Sequence, residues 1–162
     1  KSLDVTRPRS FSSCRFKTDI CFDLVDVVSY NIYPKWYHNT PVAMYLDDLY
    51  KWVQTTGGAG KPFLITEVGA GAIYGYRTSA KVKWSEEYQV LALEEQLGAI
   101  LSYKDCSGVY IWQFCDVRVT NDWWNTRPRT MNNKGIVDEY RRPKLSYETV
   151  KRIFGSVDTY RK

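Results

Sequence analysis

The chain has 162 residues, 44% hydrophobic and 25% charged, with 23 Lys+Arg against 18 Asp+Glu for a net charge of +5. Those totals suit one soluble domain with a sizeable core, and no apolar run approaches the ~20 residues that cross a bilayer. The basic residues are scattered, with Arg141, Arg142 and Lys144 the densest group. A solvated face is expected rather than a nucleic-acid footprint, so neither nucleic acid nor membrane is predicted as a partner.

In chain order, residues 7–13 read as a short strand and Asp26 to Tyr33 as a better one, rich in β-branched and aromatic residues. Thr40-Pro41 signals a helix start, Thr as N-cap and Pro in the first turn. Val42, Tyr45, Leu46, Leu49, Trp52 and Val53 form its apolar stripe, and Gly57-Gly58 stops it. A strand from Pro62 to Glu67 follows, then a glycine-bearing loop to Trp84. Ser85 caps the next helix, with Glu86 and Glu87 suited to its N-terminal dipole. Tyr88, Leu91, Ala92, Ile100 and Leu101 are its predicted buried side. Gly108 to Phe114 reads as another strand, and Pro143 opens a last helix. Near-continuous apolar strands between amphipathic helices indicate a parallel sheet covered by helices, either half of an eight-fold barrel or a small open sheet.

Cys14, Cys21, Cys106 and Cys115 lack metal-like spacing, so reduced, packing thiols and a cytoplasmic location are expected, with no metal site. His38 is the single histidine and no GxSxG is present, which argues against a Ser-His-Asp triad and leaves His38 as a loop residue. The 6 Trp and 13 Tyr fit a large core or a set of stacking platforms for sugar faces.

Ligand sites in parallel α/β folds lie beyond the carboxyl ends of the strands. At those ends stand Asn31 with Tyr33, Glu67, and Trp112 with Gln113 and Asp116. A strand-end acid such as Glu67 can be tied to a lysine or can cap a helix. Its setting favours another role: an apolar strand holds it rigidly, and Gly69, Ala70 and Gly71 leave room for a substrate atom. A carboxylate nucleophile needs that space.

Thr66-Glu67, Gly69-Ala70 and Trp84-Ser-Glu-Glu-Tyr-Gln89, in this order, resemble glycoside hydrolase family 2, most closely its β-glucuronidase and β-galactosidase members. The resemblance extends to Asp4–Pro8 as the lead-in to a fifth strand and to Asp26–Tyr37 as the sixth strand with its aromatic loop. It also covers Val109–Asp116 as the eighth strand and Asn132–Ile136 as the loop before the final helix. It implies an α/β fold: the C-terminal half (strand-helix units five to eight) of a TIM (β/α)8 barrel spanning residues 1–162. The N-terminal half and any β-domains would be absent, which fits a chain that opens without an initiator Met.

The resemblance implies a retaining β-glycoside hydrolase with two carboxylates ~5–5.5 Å apart, acting through a covalent glycosyl-enzyme. Glu67 falls on the nucleophile, Tyr33 on the tyrosine bonded to it, and Trp112 on the floor of the sugar site. Asn132 and Lys134 match a pair that grips a uronate carboxylate, and Asn31, Trp36 and Asp116 complete the implied substrate-binding set. Arg127-Pro-Arg-Thr130 departs from the Gly-rich approach of the best-known glucuronidase pattern. The family's acid/base, a Glu after Asn, has no counterpart here, so the isolated chain is expected to be inactive. The alternatives are a β-galactosidase of the same family or a non-catalytic sugar-binding half-barrel. Carbohydrate is the implied ligand, with no metal or organic cofactor. Open sheet edges imply self-association or pairing with the missing barrel half.

Overall fold

The computed structural model describes residues 6–157. Asp4 and Val5, the start of the expected lead-in, lie outside the described residues. One sheet runs β1 (Ser12–Ser13), β2 (Val28–Asn31), β3 (Phe63–Val68), β4 (Cys106–Ile111), in that spatial order. The β1/β2 and β2/β3 pairs are parallel. Parallel neighbours need a crossover, and α1 (Val42–Thr55) provides it between β2 and β3. The second helix, α2 (Glu86–Ser102), joins β3 to β4, and α3 (Leu145–Gly155) follows the last loop. The predicted alternation of strands and helices is therefore present. The first strand is shorter than expected, and the last ends before Trp112.

Two compact units divide the chain. The first contains the described residues up to Val68 together with Ala99–Tyr110; the second contains Gly69–Gly98 and the described residues from Ile111 onward.

In the first unit α1 buries Val42, Leu46, Leu49 and Val53, all fully or nearly fully inaccessible. That spacing is one face of a 3.6-residue helix. The helix begins one residue later than Thr40 predicts. Pro41 itself is the N-cap, with ψ 136°, and its carbonyl accepts from Tyr45 N at 3.0 Å. Gly57 ends the helix at φ +91°, where a Cβ would also meet the backbone of Asp23.

The third strand breaks its own alternation. Phe63 and Ile65 are buried, Leu64, Thr66 and Glu67 half-buried, and Val68 buried again. The cause is a register shift: Tyr30 pairs with Ile65, but its neighbour Asn31 pairs with Glu67, leaving Thr66 as the extra residue. A bulge of this kind re-aims the side chains that follow it. Without it Glu67 would continue the buried row of Phe63 and Ile65.

Ser85 caps α2 as expected, its Oγ accepting from Tyr88 N at 3.2 Å. The buried side of α2 differs from the prediction. Leu91 is 44% exposed, and Gln89, Leu93, Gln96 and Leu97 join Ala92 and Ile100 inside. The two buried glutamines hold backbone: Gln89 Nε2 donates to Ala70 O (2.8 Å) and Gly135 O (3.0 Å), and Gln96 Nε2 to Gly69 O (3.3 Å). Buried amides of this kind satisfy loop carbonyls that would otherwise be orphaned. The last helix starts at Leu145 with Lys144 as N-cap, so Pro143 stands outside it.

Candidate active site

The bulge at Thr66 positions the principal site residue. Thr66 Oγ1 donates to Asn31 Oδ1 at 2.9 Å, and Ile32 N donates to Glu67 O at 2.8 Å, so the ends of β2 and β3 are laced together. Tyr33 follows β2 and donates its hydroxyl proton to Glu67 Oε2 at 2.5 Å. Beyond it the chain turns sharply: Trp36 N and Tyr37 N both donate to Tyr33 O, Lys35 takes φ +69°, and Lys35 N donates to His38 O. That turn brings Tyr37 back against Tyr33, edge to face at 5.4 Å.

These residues open onto a cavity of about 320 Å³ whose walls include Asn31, Tyr33, Tyr37, His38, Tyr45 and Glu67. The volume suits a single sugar ring with part of its substituent. Glu67 is the one carboxylate among the lining residues. His38 stacks on Tyr45 at 4.8 Å, and burial pushes its pKa down, favouring the neutral imidazole. The arrangement is an oriented carboxylate in an aromatic-walled cavity, with one oxygen held by a phenol and the other left for chemistry.

Of the sequence candidates, Asn31, Tyr33 and Glu67 come together here. Trp36 is buried (5% exposed) with Tyr37 at its edge and is not among the lining residues. His38, Tyr45 and Cys14 line the cavity although no motif singled them out. The sequence leaves His38 as a loop residue; the aromatic turn after β2, which carries it, is the signal that could have found it. Cys14 and Cys21 are exposed rather than packed, and all four cysteines are free thiols. Among the described residues no group of His, Cys, Asp or Glu could hold a metal ion, and no helix is long and apolar enough to cross a membrane.

The small residues after Glu67 have a structural reason. A Cβ on Gly69 would collide with the Trp112 carbonyl oxygen, so close backbone packing requires glycine there. Trp112 is 38% exposed and precedes a cis peptide bond to Gln113.

Asp116 does not face a ligand. Its side chain is fully inaccessible, Oδ1 meets Lys144 Nζ at 2.8 Å, and the same oxygen accepts from Gly135 N at 2.8 Å. Lys144 also donates to Ala72 O (2.6 Å) and Asn133 O (3.1 Å). Burial raises the Asp116 carboxyl to about 6, against the opposing pull of Lys144, and lowers the Lys144 ammonium. Asp116 is therefore scaffold, tying together the loops around residues 72, 116 and 133.

Asn132 and Lys134 share one tight segment. Asn132 closes the antiparallel pair of β5 (Val117–Arg118) and β6 (Met131–Asn132), opposite Val117. Its Oδ1 accepts from Lys134 N at 3.3 Å, which leaves the carboxamide NH2 as the donor end. Lys134 is 3% exposed, and its backbone oxygen accepts from Gln113 N at 3.1 Å.

Comparison with known proteins adds to this geometry. Residues 1–159 match the model of the glycosyl hydrolases family 2 TIM barrel domain. The rat (Rattus norvegicus) β-glucuronidase is 34% identical over 158 residues, covering 90% of this chain and 23% of its own length. A β-galacturonidase of the same family from Eisenbergiella tayi, solved bound to galacturonate, is 71% identical with a TM-score of 0.94, over 96% of this chain and 28% of that one. The β-D-glucuronidase from Dictyoglomus thermophilum is 27% identical with a TM-score of 0.84, over 99% of this chain and 28% of that one. The chain thus spans about a quarter of the length of these proteins.

Proposed function

This chain belongs to glycosyl hydrolase family 2, as part of its TIM (β/α)8 barrel, and from that membership we propose that it supplies the nucleophile of a retaining β-uronide hydrolase. The observation that carries the reading is the 2.5 Å bond from Tyr33 Oη to Glu67 Oε2 at the wall of an open cavity. Glu67 attacks the anomeric carbon, the bond to the leaving oxygen breaks, and a glycosyl ester forms; water then cleaves the ester and restores the carboxylate. Tyr33 fixes the attacking group and takes up the change in charge on its oxygen as the ester forms. The leaving oxygen needs a proton, and no second carboxylate lines the cavity among the described residues. The donor therefore comes from outside them, and these residues alone turn over little or no substrate.

The substrate class is a terminal β-linked uronate, with galacturonate preferred over glucuronate. The 71% identity to a galacturonidase supports that choice over the more distant glucuronidases. Asn132 with its NH2 end and Lys134 with its ammonium offer charge-assisted bonds to the sugar carboxylate, a contact that a neutral galactoside lacks. The outermost strands of the sheet, β1 and β4, pair with further strands that complete the barrel or, in their absence, with a second copy.

A 2-fluoro-galacturonosyl fluoride should label the completed enzyme at Glu67, read by peptide mass; a label on any other residue removes the nucleophile assignment. In the same enzyme aryl β-galacturonide should be cleaved faster than aryl β-glucuronide, and both far faster than aryl β-galactoside. Lys134→Ala should lower uronide kcat/KM by about 10- to 100-fold, the range of a hydrogen bond to a charged group. Undiminished uronide cleavage in that variant discards the carboxylate clamp.

A further inference from the structure

The loop between β5 and β6 carries a feature that hydrolysis at Glu67 does not use. Trp123 and Trp124 stand side by side in a 3-10 turn (Asn121–Thr126), 54% and 40% exposed. Adjacent indoles left in water by a folded loop mark contact surfaces. The loop is built rather than slack. Val117 and Arg118 pair with Asn132 and Met131, and Val119 N donates to Thr130 O at 3.0 Å. Trp124 Nε1 donates to Val119 O (3.3 Å), Thr126 Oγ1 to Trp123 O (2.9 Å), and Asn133 Nδ2 to Pro128 O (3.0 Å).

The surface is also basic. Arg118 lies over the Trp124 ring at 5.5 Å and Arg127 over the Trp123 ring at 5.8 Å. Across residues 117–130 there are three arginines and one acid, Asp122. Arg129 is committed to Glu139. Both flat apolar rings carry a guanidinium over one face, and Arg118 beside Trp124 supplies the cation for a ligand with a flat C–H face and a negative charge.

We propose that Trp123 and Trp124, with Arg118, form a binding subsite for a further uronate unit of an acidic oligosaccharide. Continuity of the chain supports that occupant. The foot of the hairpin is Asn132, so the strand pair that ends in the proposed carboxylate clamp also carries the indoles. The identity of the ligand rests on the uronide reading above; the existence of the subsite does not. Sugar rings stack on the indoles, and the carboxylate is met by an arginine fork.

Tryptophan fluorescence separates the two claims, because it reports binding and not turnover, and the quenching that disappears with Trp123 and Trp124 belongs to these indoles rather than to Trp36, Trp52, Trp84 or Trp112. Titration of the protein with tri-galacturonate should give saturable quenching that weakens at least threefold between 50 and 500 mM NaCl. The Trp123→Ala/Trp124→Ala double variant should bind at least about tenfold more weakly when measured by calorimetry. Arg118→Gln, which keeps both indoles, should lose affinity for tri-galacturonate while leaving that for neutral maltotriose unchanged. The proposal is overturned if maltotriose binds the wild type as tightly as tri-galacturonate, if the double variant retains full affinity, or if 2-naphthoate outcompetes the trisaccharide. Loss of aryl uronide hydrolysis in Glu67→Gln with quenching intact would leave each claim judged on its own measurement.

Discussion

Glu67 and Asp116 are both acids placed by the sequence at the end of an apolar strand, and the structure treats them oppositely. Glu67 faces a cavity and receives one neutral donor, the Tyr33 hydroxyl. Asp116 is closed off by an ammonium and a backbone N–H, and the ammonium is saturated by two further carbonyls. A carboxylate becomes chemically useful when its neighbours orient it without neutralising it. One bonded to a buried lysine becomes a cross-link. The contrast can be broken in four ways.

The largest effect is expected at Glu67. Glu67→Gln should lower glycosidase kcat in the completed enzyme by about 10⁴-fold, equivalent to roughly 5.4 kcal/mol of barrier, while the melting temperature stays within a degree or two. A large loss of stability would show that Glu67 is scaffold after all.

Lys144→Met should do the reverse. Removing one partner of a buried pair leaves the other charge uncompensated, a loss of about 3–5 kcal/mol. Denaturant unfolding should show it as a lowered midpoint. The paired change Asp116→Leu/Lys144→Met should recover part of the deficit, though Ala72 O and Asn133 O remain without a donor.

Tyr33→Phe comes next. Loss of one hydrogen bond to a charged oxygen is worth ~1.5–3 kcal/mol, so kcat/KM should fall about 10- to 150-fold with the cavity otherwise intact. An unchanged rate would mean that the bulge alone orients Glu67.

The smallest effect is in pH dependence. The folded state holds the Asp116 proton up to about pH 6, whereas an ordinary aspartate releases it near 3.8. Between those values the folded state binds more protons than the unfolded chain, so this group's contribution to stability falls as pH rises from about 4 to about 6 and is flat above. Wild type should therefore lose stability relative to Asp116→Asn across that window, measured as the difference in urea midpoints. A constant difference would mean that Lys144 keeps Asp116 ionised throughout.

The order of elements was legible in the sequence because local rules dictate it: a helical stripe in α1, a serine cap on α2, apolar strands between them. Tyr33 and Glu67 were legible because they stand at strand ends with an aromatic loop and a glycine nearby. Other features depend on long-range packing that no local pattern encodes. Asp116 is settled by Lys144, 28 residues away, and Gln89 by a carbonyl 46 residues away. The 44% exposure of Leu91 and the burial of Gln96 depend on what packs against each face of α2. The register shift at Thr66 has no compositional signature, because threonine is an ordinary strand residue.

That shift makes the aim of Glu67 a matter of counting. Side chains on a strand alternate sides, so loss of the Thr66 codon would let Glu67 follow Ile65 directly, opposite Asn31 in an unbroken ladder, with the acid still on the outer side and Val68 still in the apolar layer. The extra residue is therefore slack that the strand can lose without redirecting its acid: a Thr66 deletion should cost the hydroxyl tie to Asn31 and leave Glu67 facing outward.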